Sequence, residues 1–144
     1  MNFALEGIII YMLLTVLAYN EEKEIASVIE NYKDSFEEVL IVNDCSIDET
    51  GNILEKIKSI NDNITIINNE KNLGAGKSLL QAIEYFKDSS HEYLIKIDGD
   101  NQFRKKDVLE TKELLKSNKY DFIKGDRFWI NGIYGQIPLI RYVG

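Results

Sequence analysis

Tyr93-Leu-Ile-Lys-Ile-Asp-Gly-Asp-Asn-Gln-Phe103 decides how this chain is read, because an apolar run ends there in two carboxylates separated by one glycine. If Tyr93 to Ile97 is a buried strand, its two-residue side-chain period points Asp98 and Asp100 roughly the same way at the carboxyl end. Gly99 lets the backbone bend and a ligand approach closely. Hard divalent cations such as Mg²⁺ or Mn²⁺ are typically held by one or two carboxylates, with substrate phosphates completing the shell. The stretch therefore reads as a metal-diphosphate site. The same residues also suit a solvated turn after a strand, and this stretch alone does not choose between the two.

Outward from it the chain alternates with a regular beat. Apolar runs rich in β-branched or aromatic residues begin near Tyr11, Val39, Ile64, Tyr93 and Tyr120, predicting five strands. The first belongs to an apolar run from Ile8 to Tyr19, read as one long buried strand; residues 1–7 form a leader of no assignable role. Between the strands lie four helical stripes: Ile25, Val28, Ile29 and Tyr32; Ile53, Leu54, Ile57 and Ile60; Leu79, Leu80, Ile83 and Phe86; and Val108, Thr111 and Leu115 with Leu114 beside them. Ser46-Ile-Asp-Glu49 and Asp107-Val-Leu-Glu110 have capping-box spacing and predict the starts of the second and fourth helices. Strands alternating with helices imply an α/β domain, a mostly parallel sheet covered on both faces.

At 144 residues the chain is read as a single domain, 1–144, with 44% hydrophobic and 28% charged residues, an ordinary balance for a globular protein. A net charge of −7 argues against nonspecific nucleic-acid binding, which needs a basic footprint. Residues 20–49 carry ten acidic and two basic side chains, which reads as a solvated acidic helix face. The single Cys45 excludes an internal disulfide, and the single His91, read as a surface loop residue, leaves little room for histidine chemistry. The apolar run at Ile8–Tyr19 is too short to span a bilayer and lacks the basic flank of a signal peptide.

In an open parallel sheet, ligands gather at the carboxyl ends of the strands where the strand order reverses. Polar residues concentrate at those ends: Ala18-Tyr-Asn-Glu-Glu22, Val42-Asn-Asp-Cys-Ser46, Asn68 to Lys77, Asp98-Gly-Asp100 and Lys124-Gly-Asp-Arg-Phe128. Polar loops and caps explain any one of them, but explain all five together less well.

In this order the segments resemble the family 2 glycosyltransferases of the Rossmann-like GT-A fold, particularly those that move sugar from a nucleotide diphosphate to a polyprenyl or dolichyl phosphate. The resemblance runs from about Leu14 to Gly144. It rests on Tyr19-Asn-Glu21, on Val42-Asn-Asp44 with Ser46 and Asp48, on Asn72-Leu-Gly-Ala-Gly76, on Asp98-Gly-Asp-Asn-Gln102 as a DXD-type motif, on Gly125-Asp-Arg-Phe128 and on Arg141. It implies a metal-dependent, inverting transferase of cell-envelope glycan synthesis using a UDP-, GDP- or dTDP-linked sugar. By the resemblance, Asp44 recognises the base or ribose, and Ala18, Tyr19 and Glu21 complete the nucleotide pocket with Asp98 and Gly99. Asp98 and Asp100 hold Mg²⁺ or Mn²⁺; Gln102, Arg127 and Arg141 serve the donor sugar and phosphates. It also implies a cytoplasmic protein, peripheral to the membrane face through a lipid-phosphate acceptor.

This sequence departs from the family pattern at Leu17, usually proline, at Cys45, usually glycine, and at Asp126, usually a small residue. The family domain normally continues by roughly another third, which supplies much of the acceptor site and the general base. The chain is therefore expected to be the donor-binding portion, incomplete at the C-terminus, with its base beyond Gly144. An acceptor that is already an anion, such as a lipid phosphate, needs no base. The alternative is a catalytically incomplete nucleotide-binding module that works with a partner. Gly76-Lys-Ser78 fails as a P-loop because Lys71 stands where that motif needs glycine, and Gly74 and Gly76 are expected to serve close packing. A phosphoacceptor receiver domain would need an aspartate where Asn68 and Asn69 stand. Arg104-Lys-Lys106 reads as a solvated helix start.

Overall fold

The computed structural model describes residues 10–125. They form four parallel strands, β1 (Met12–Ala18), β2 (Glu38–Asn43), β3 (Ile64–Asn68) and β4 (Tyr93–Asp98), and four helices, α1 (Ile25–Tyr32), α2 (Thr50–Lys58), α3 (Ala75–Lys87) and α4 (Lys105–Lys116). The sheet order is β3-β2-β1-β4. The chain winds outward from β1 to β3, then crosses back to place β4 on the other side of β1. The order reverses between β1 and β4, where a crevice opens in this class of sheet.

β1 is the centre of the molecule, and all seven of its residues are buried. Its alternate side chains separate two cores. Met12, Leu14, Val16 and Ala18 pack with α1, α2 and α4, whereas Leu13 and Leu17 pack with Leu40, Val42 and α3 through Ala82. A strand covered on both faces must be apolar throughout, which is why the run shows no alternation. Burying each such Leu, Ile or Val stabilises the fold by roughly 1.5–3 kcal/mol before entropy is counted.

The α1 stripe is buried as its spacing predicts, but several other expectations are corrected. β1 is shorter than the apolar run: Tyr11 is exposed, and residues 8–9 lie outside the described residues. No strand forms over residues 119–125, so the described sheet has four strands, and the rest of the predicted fifth lies outside. That segment leaves Tyr120 and Phe122 exposed, without neighbours to bury a strand. In α2 Thr50 and Leu54 are buried and Ile53 and Ile57 pack partly buried beside them, while Ile60 falls beyond the helix and is exposed. In α3 Leu79 and Phe86 of the predicted stripe pack on the core beside the buried Ser78 and Ala82, whereas Leu80 and Ile83 face outward. Small residues let that helix lie close on the sheet, so hydrophobicity alone placed its buried face only in part.

Neither predicted capping box forms. α2 begins at Thr50, whose amide bonds to Asp48 Oδ1 at 3.0 Å, and Ser46 Oγ instead accepts from Asn20 N at 3.0 Å. α4 begins at Lys105, leaving Asp107 in its first turn, where it takes a forked pair of bonds from Arg104 at 2.8 and 2.9 Å.

Two partly buried ionic clusters tie the opposite end of the sheet together. Lys112 on α4 donates to the carbonyl of Ser35, lies 3.5 Å from Glu37 Oε1 and sits 4.7 Å from the centre of the Phe36 ring. Glu37 in turn accepts from Met12 N at 3.0 Å, so α4 is fastened to the start of β1. His91 is not a surface loop residue. Its side chain is only 9% exposed, with Nε2 3.6 Å from Glu38 Oε2 and Nδ1 3.0 Å from Ser89 Oγ. Glu38 also accepts from Tyr85 Oη at 2.5 Å and Thr65 Oγ1 at 2.6 Å.

Candidate functional site

The carboxyl end of β1 is held between its two neighbours by main-chain bonds that run past the strands. Asp44 N donates to Ala18 O and Gly99 N to Leu17 O, each at 2.9 Å. The acidic motif after β2 and the acidic turn after β4 are thereby brought to opposite sides of Leu17 and Ala18.

Gly99 is required by this approach. A Cβ there would stand 3.2 Å from Leu17 O, 3.2 Å from Ile25 Cδ1 and 3.4 Å from Glu21 Cγ. The space expected for a ligand is thus taken by the protein's own β1 and α1. Asn101 follows with φ of 58°, a left-handed conformation that asparagine tolerates, and its Nδ2 donates to Glu24 Oε2 at 3.2 Å. The acidic turn is tethered to the start of α1. Asp100 Oδ1 accepts from Gln102 N at 3.1 Å, while the side chain of Gln102 is exposed. Asp98, the last residue of β4, pairs with Lys96 Nζ at 2.6 Å, and both side chains are 31% exposed.

Glu21 stands at the centre of the acidic field. Burial pushes its carboxyl above the ordinary glutamate value, and Asp100, Asp48, Glu24 and Asp98 push it further the same way. Clustered carboxylates resist ionising together, and a cation relieves them. Among the described residues, no three Asp, Glu, His or Cys side chains close around one point. Asp98 and Asp100 with Glu21 behind them fit the mode in which one or two carboxylates hold Mg²⁺ or Mn²⁺ and substrate phosphates complete the shell.

The first two loops interlock. Besides the bond from Asn20 N to Ser46, Ile47 N donates to Asn20 Oδ1 at 2.9 Å, Glu21 N to Thr50 Oγ1 at 2.8 Å, Glu22 N to Asp48 Oδ2 at 3.2 Å and Glu49 N to Glu22 Oε2 at 3.1 Å. Burial would raise the Asp48 carboxyl, but bonds from the Thr50 side chain, Thr50 N and Glu22 N outweigh it and hold the group below its ordinary value. Ala18 is buried in this frame and Tyr19 stands half-exposed at its rim.

Asp44 is only 4% exposed. Its Oδ1 accepts from Asn69 Nδ2 at 2.7 Å and Leu73 N at 2.8 Å, and its Oδ2 from Gly74 N at 2.8 Å. Both oxygens are committed to the loop Asn72–Gly76. Gly74 takes φ of 82°, and an added Cβ at Gly74 or Gly76 would meet nothing within 4 Å. Gly74 is there for its backbone conformation, and close packing explains neither glycine. Cys45 also has positive φ, 60°, and its Sγ lies 3.6 Å from the carbonyl of Glu70.

Asn69, Thr50, Asn101 and Lys96 were not anticipated. Only Lys96 had a usable signal, its two-residue spacing from Asp98 on one strand. Arg127 and Arg141 lie outside the described residues. The larger apolar groove, about 610 Å³ along the outer side of α4 at Leu109 and Leu114, is away from these carboxylates.

The sequence pattern of Glycosyl transferase family 2 matches residues 14–142, which takes in every element described above except the first two residues of β1. The chain belongs to that family. An uncharacterized protein of Methanocaldococcus jannaschii is 31% identical over 134 residues, 92% of this chain and 56% of its own length. The UDP-N-acetylglucosamine–dolichyl-phosphate N-acetylglucosaminyltransferase of Methanococcus voltae is 23% identical, covering 91% of this chain and 57% of that protein. The chain thus spans about half the length of these curated relatives. Among solved structures, S. aureus TarS superposes with a TM-score of 0.59 and 27% identity, over 75% of this chain and 33% of that one. A mannosyltransferase from Pyrobaculum calidifontis, solved with GDP-Man and Mn²⁺, gives 0.54 at 22% identity, over 62% and 27%. The parallel α/β sheet of this family 2 domain is that of the GT-A glycosyltransferases.

Proposed function

We propose that this chain binds a nucleotide diphosphate sugar through a divalent cation and serves inverting transfer of the sugar to a polyprenyl or dolichyl phosphate. The observation that carries this reading is the seating of the acidic turn Asp98-Gly99-Asp100 against the end of β1 at the β1/β4 switch point, through the 2.9 Å bond from Gly99 N to Leu17 O and the close approach of Gly99 to Glu21. The Methanococcus voltae relative is named for a UDP-sugar and a dolichyl-phosphate acceptor, which supports the substrate classes. UDP, GDP and dTDP remain the candidate carriers.

In this reading the interlocked loops 19–22 and 46–50 give the nucleotide a rigid floor, with Ala18 and Tyr19 at its edge and Glu21 facing the diphosphate. Asp44 acts through the loop Asn72–Gly76, fixing a wall of the nucleotide pocket. Asp98 and Asp100 would hold Mg²⁺ or Mn²⁺, which when bound draws off the negative charge growing on the departing nucleotide diphosphate. Gln102 serves the sugar, and Arg127 and Arg141 make forked contacts to phosphate oxygens. A lipid-phosphate acceptor is already anionic, so this transfer needs no general base from the chain. The work would take place at the cytoplasmic membrane surface. Among the described residues no helix is long and apolar enough to cross a membrane.

A second reading is a catalytically incomplete nucleotide-binding module that works with a partner. Incubation with labelled UDP- or GDP-sugars, Mn²⁺ and polyprenyl phosphate separates them. Labelled lipid product lost in Asp100→Asn supports transfer by the chain itself; metal-dependent binding without product supports the module. Neither binding nor product refutes both.

A further inference from the structure

Resting on the donor-site reading above, we propose that Lys96 is a counter-cation built into the site, which neutralises Asp98 and so weakens the site's hold on a divalent cation.

The placement follows from the strand. In β4, Ile95 and Ile97 are buried in the core beneath α1 and α4, so Leu94, Lys96 and Asp98 share the other face. Two residues apart on one face, the lysine is within reach of the aspartate, and the ammonium lies 2.6 Å from Asp98 Oδ1. Lys96 is opposite Thr15 of β1, a fully buried residue whose hydroxyl has no partner and carries no charge. Among the described residues, Asp98 is the acid with which Lys96 forms an ion pair.

The consequence is electrostatic. Asp98 and Asp100 together would present two negative charges, but the tethered ammonium removes one of them at the atom that must ligate. A divalent cation arriving at Asp98 has to displace the lysine or bind beside it, against like-charge repulsion. Replacing Lys96 by methionine keeps the apolar stem along the sheet and removes the charge. Because the pair is partly exposed, a tightening of Mn²⁺ binding by about fivefold is expected.

The test is a Mn²⁺ titration followed by the electron paramagnetic resonance signal of the free ion, on folded wild type, Lys96→Met, Lys96→Arg, Asp98→Asn, Asp100→Asn and the double variant Lys96→Met with Asp98→Asn. Lys96→Met should bind Mn²⁺ about fivefold more tightly and Lys96→Arg should stay within about twofold of wild type. In the Asp98→Asn background the methionine substitution should give no gain, since the coupling runs through Asp98. Lys96→Met binding Mn²⁺ no better than wild type overturns the inference, while loss of binding in Asp98→Asn and Asp100→Asn keeps the donor-site reading. If those two variants bind Mn²⁺ like wild type, the metal site itself is wrong and the inference falls with it.

Discussion

Asp44→Asn isolates what the buried carboxylate after β2 does. In the folded protein it receives three bonds of 2.7 to 2.8 Å, from Asn69 Nδ2, Leu73 N and Gly74 N. Hydrogen bonds to a charged group contribute about 1.5–3 kcal/mol each. Asparagine keeps one acceptor oxygen but turns its amide group toward at least one N–H, losing a charge-assisted bond and burying donor against donor. The expected loss is about 3 kcal/mol, a large share of a typical stability of about 5–15 kcal/mol. It should appear in urea unfolding at pH 7, and locally as faster hydrogen exchange of the Leu73 and Gly74 amides. Burial pushes the Asp44 carboxyl up, but bonds from Leu73, Asn69, Gly74 and Ser78 outweigh it and hold it below its ordinary value. A carboxylate so depressed stabilises the fold above its unfolded pKa, about 3.9, and the contribution is lost as pH falls through the lower folded value. Asp44→Asn should lack that acid-side loss. Unchanged stability with both amides still protected, but with nucleotide binding abolished, would refute the loop-holding role and make Asp44 a direct nucleotide contact.

Three further outcomes are expected. Lys112→Ala removes a buried ammonium that donates to Ser35 O, pairs with the exposed Glu37 and lies over the Phe36 ring, and should lower stability by about 1.5–3 kcal/mol in thermal unfolding; a loss below about 1 kcal/mol would mean that α4 is not fastened through Lys112. Gly99→Ala places a methyl 3.2 Å from Leu17 O and should both destabilise, by about 1–3 kcal/mol, and impair metal-dependent nucleotide binding, because the acidic turn must move away from β1. Wild-type stability and binding would contradict that close approach. Cys45→Gly relieves a left-handed backbone that costs a non-glycine residue about 1–2 kcal/mol, against about 0.5–1 kcal/mol of added chain entropy. The melting temperature should therefore hold or rise, and a clear fall would show that the Sγ contact with Glu70 outweighs the strain.

Much of the fold could be read in the sequence because a parallel sheet buries whole apolar runs, and those at Val39, Ile64 and Tyr93 matched strands closely. The α1 stripe was legible for the same reason. α3 was read only in part: Leu79 and Phe86 pack on the core, but the fully buried positions are Ser78 and Ala82, whose small size matters more than their hydrophobicity. The first capping box failed because Ser46 and Asp48 had partners in the preceding loop, at Asn20 and Glu22, that no local pattern shows, and the second because α4 starts two residues before Asp107. Likewise, the spacing of Asp98 and Asp100 marked the candidate site, but the crowding of Gly99 by Leu17 and Ile25 depends on residues some eighty positions away. His91 looked like a surface residue because Glu38, which lies against its ring, is likewise distant in sequence.

The most direct test of the donor-site account is a titration with UDP, GDP and dTDP, with and without Mn²⁺, followed through the fluorescence of Trp129, the only tryptophan, and repeated by calorimetry. The account predicts that one nucleotide binds only in the presence of Mn²⁺ and that Asp98→Asn or Asp100→Asn abolishes the binding. Binding that is indifferent to Mn²⁺ and to both substitutions, or no binding of any of the three by folded protein, would contradict it.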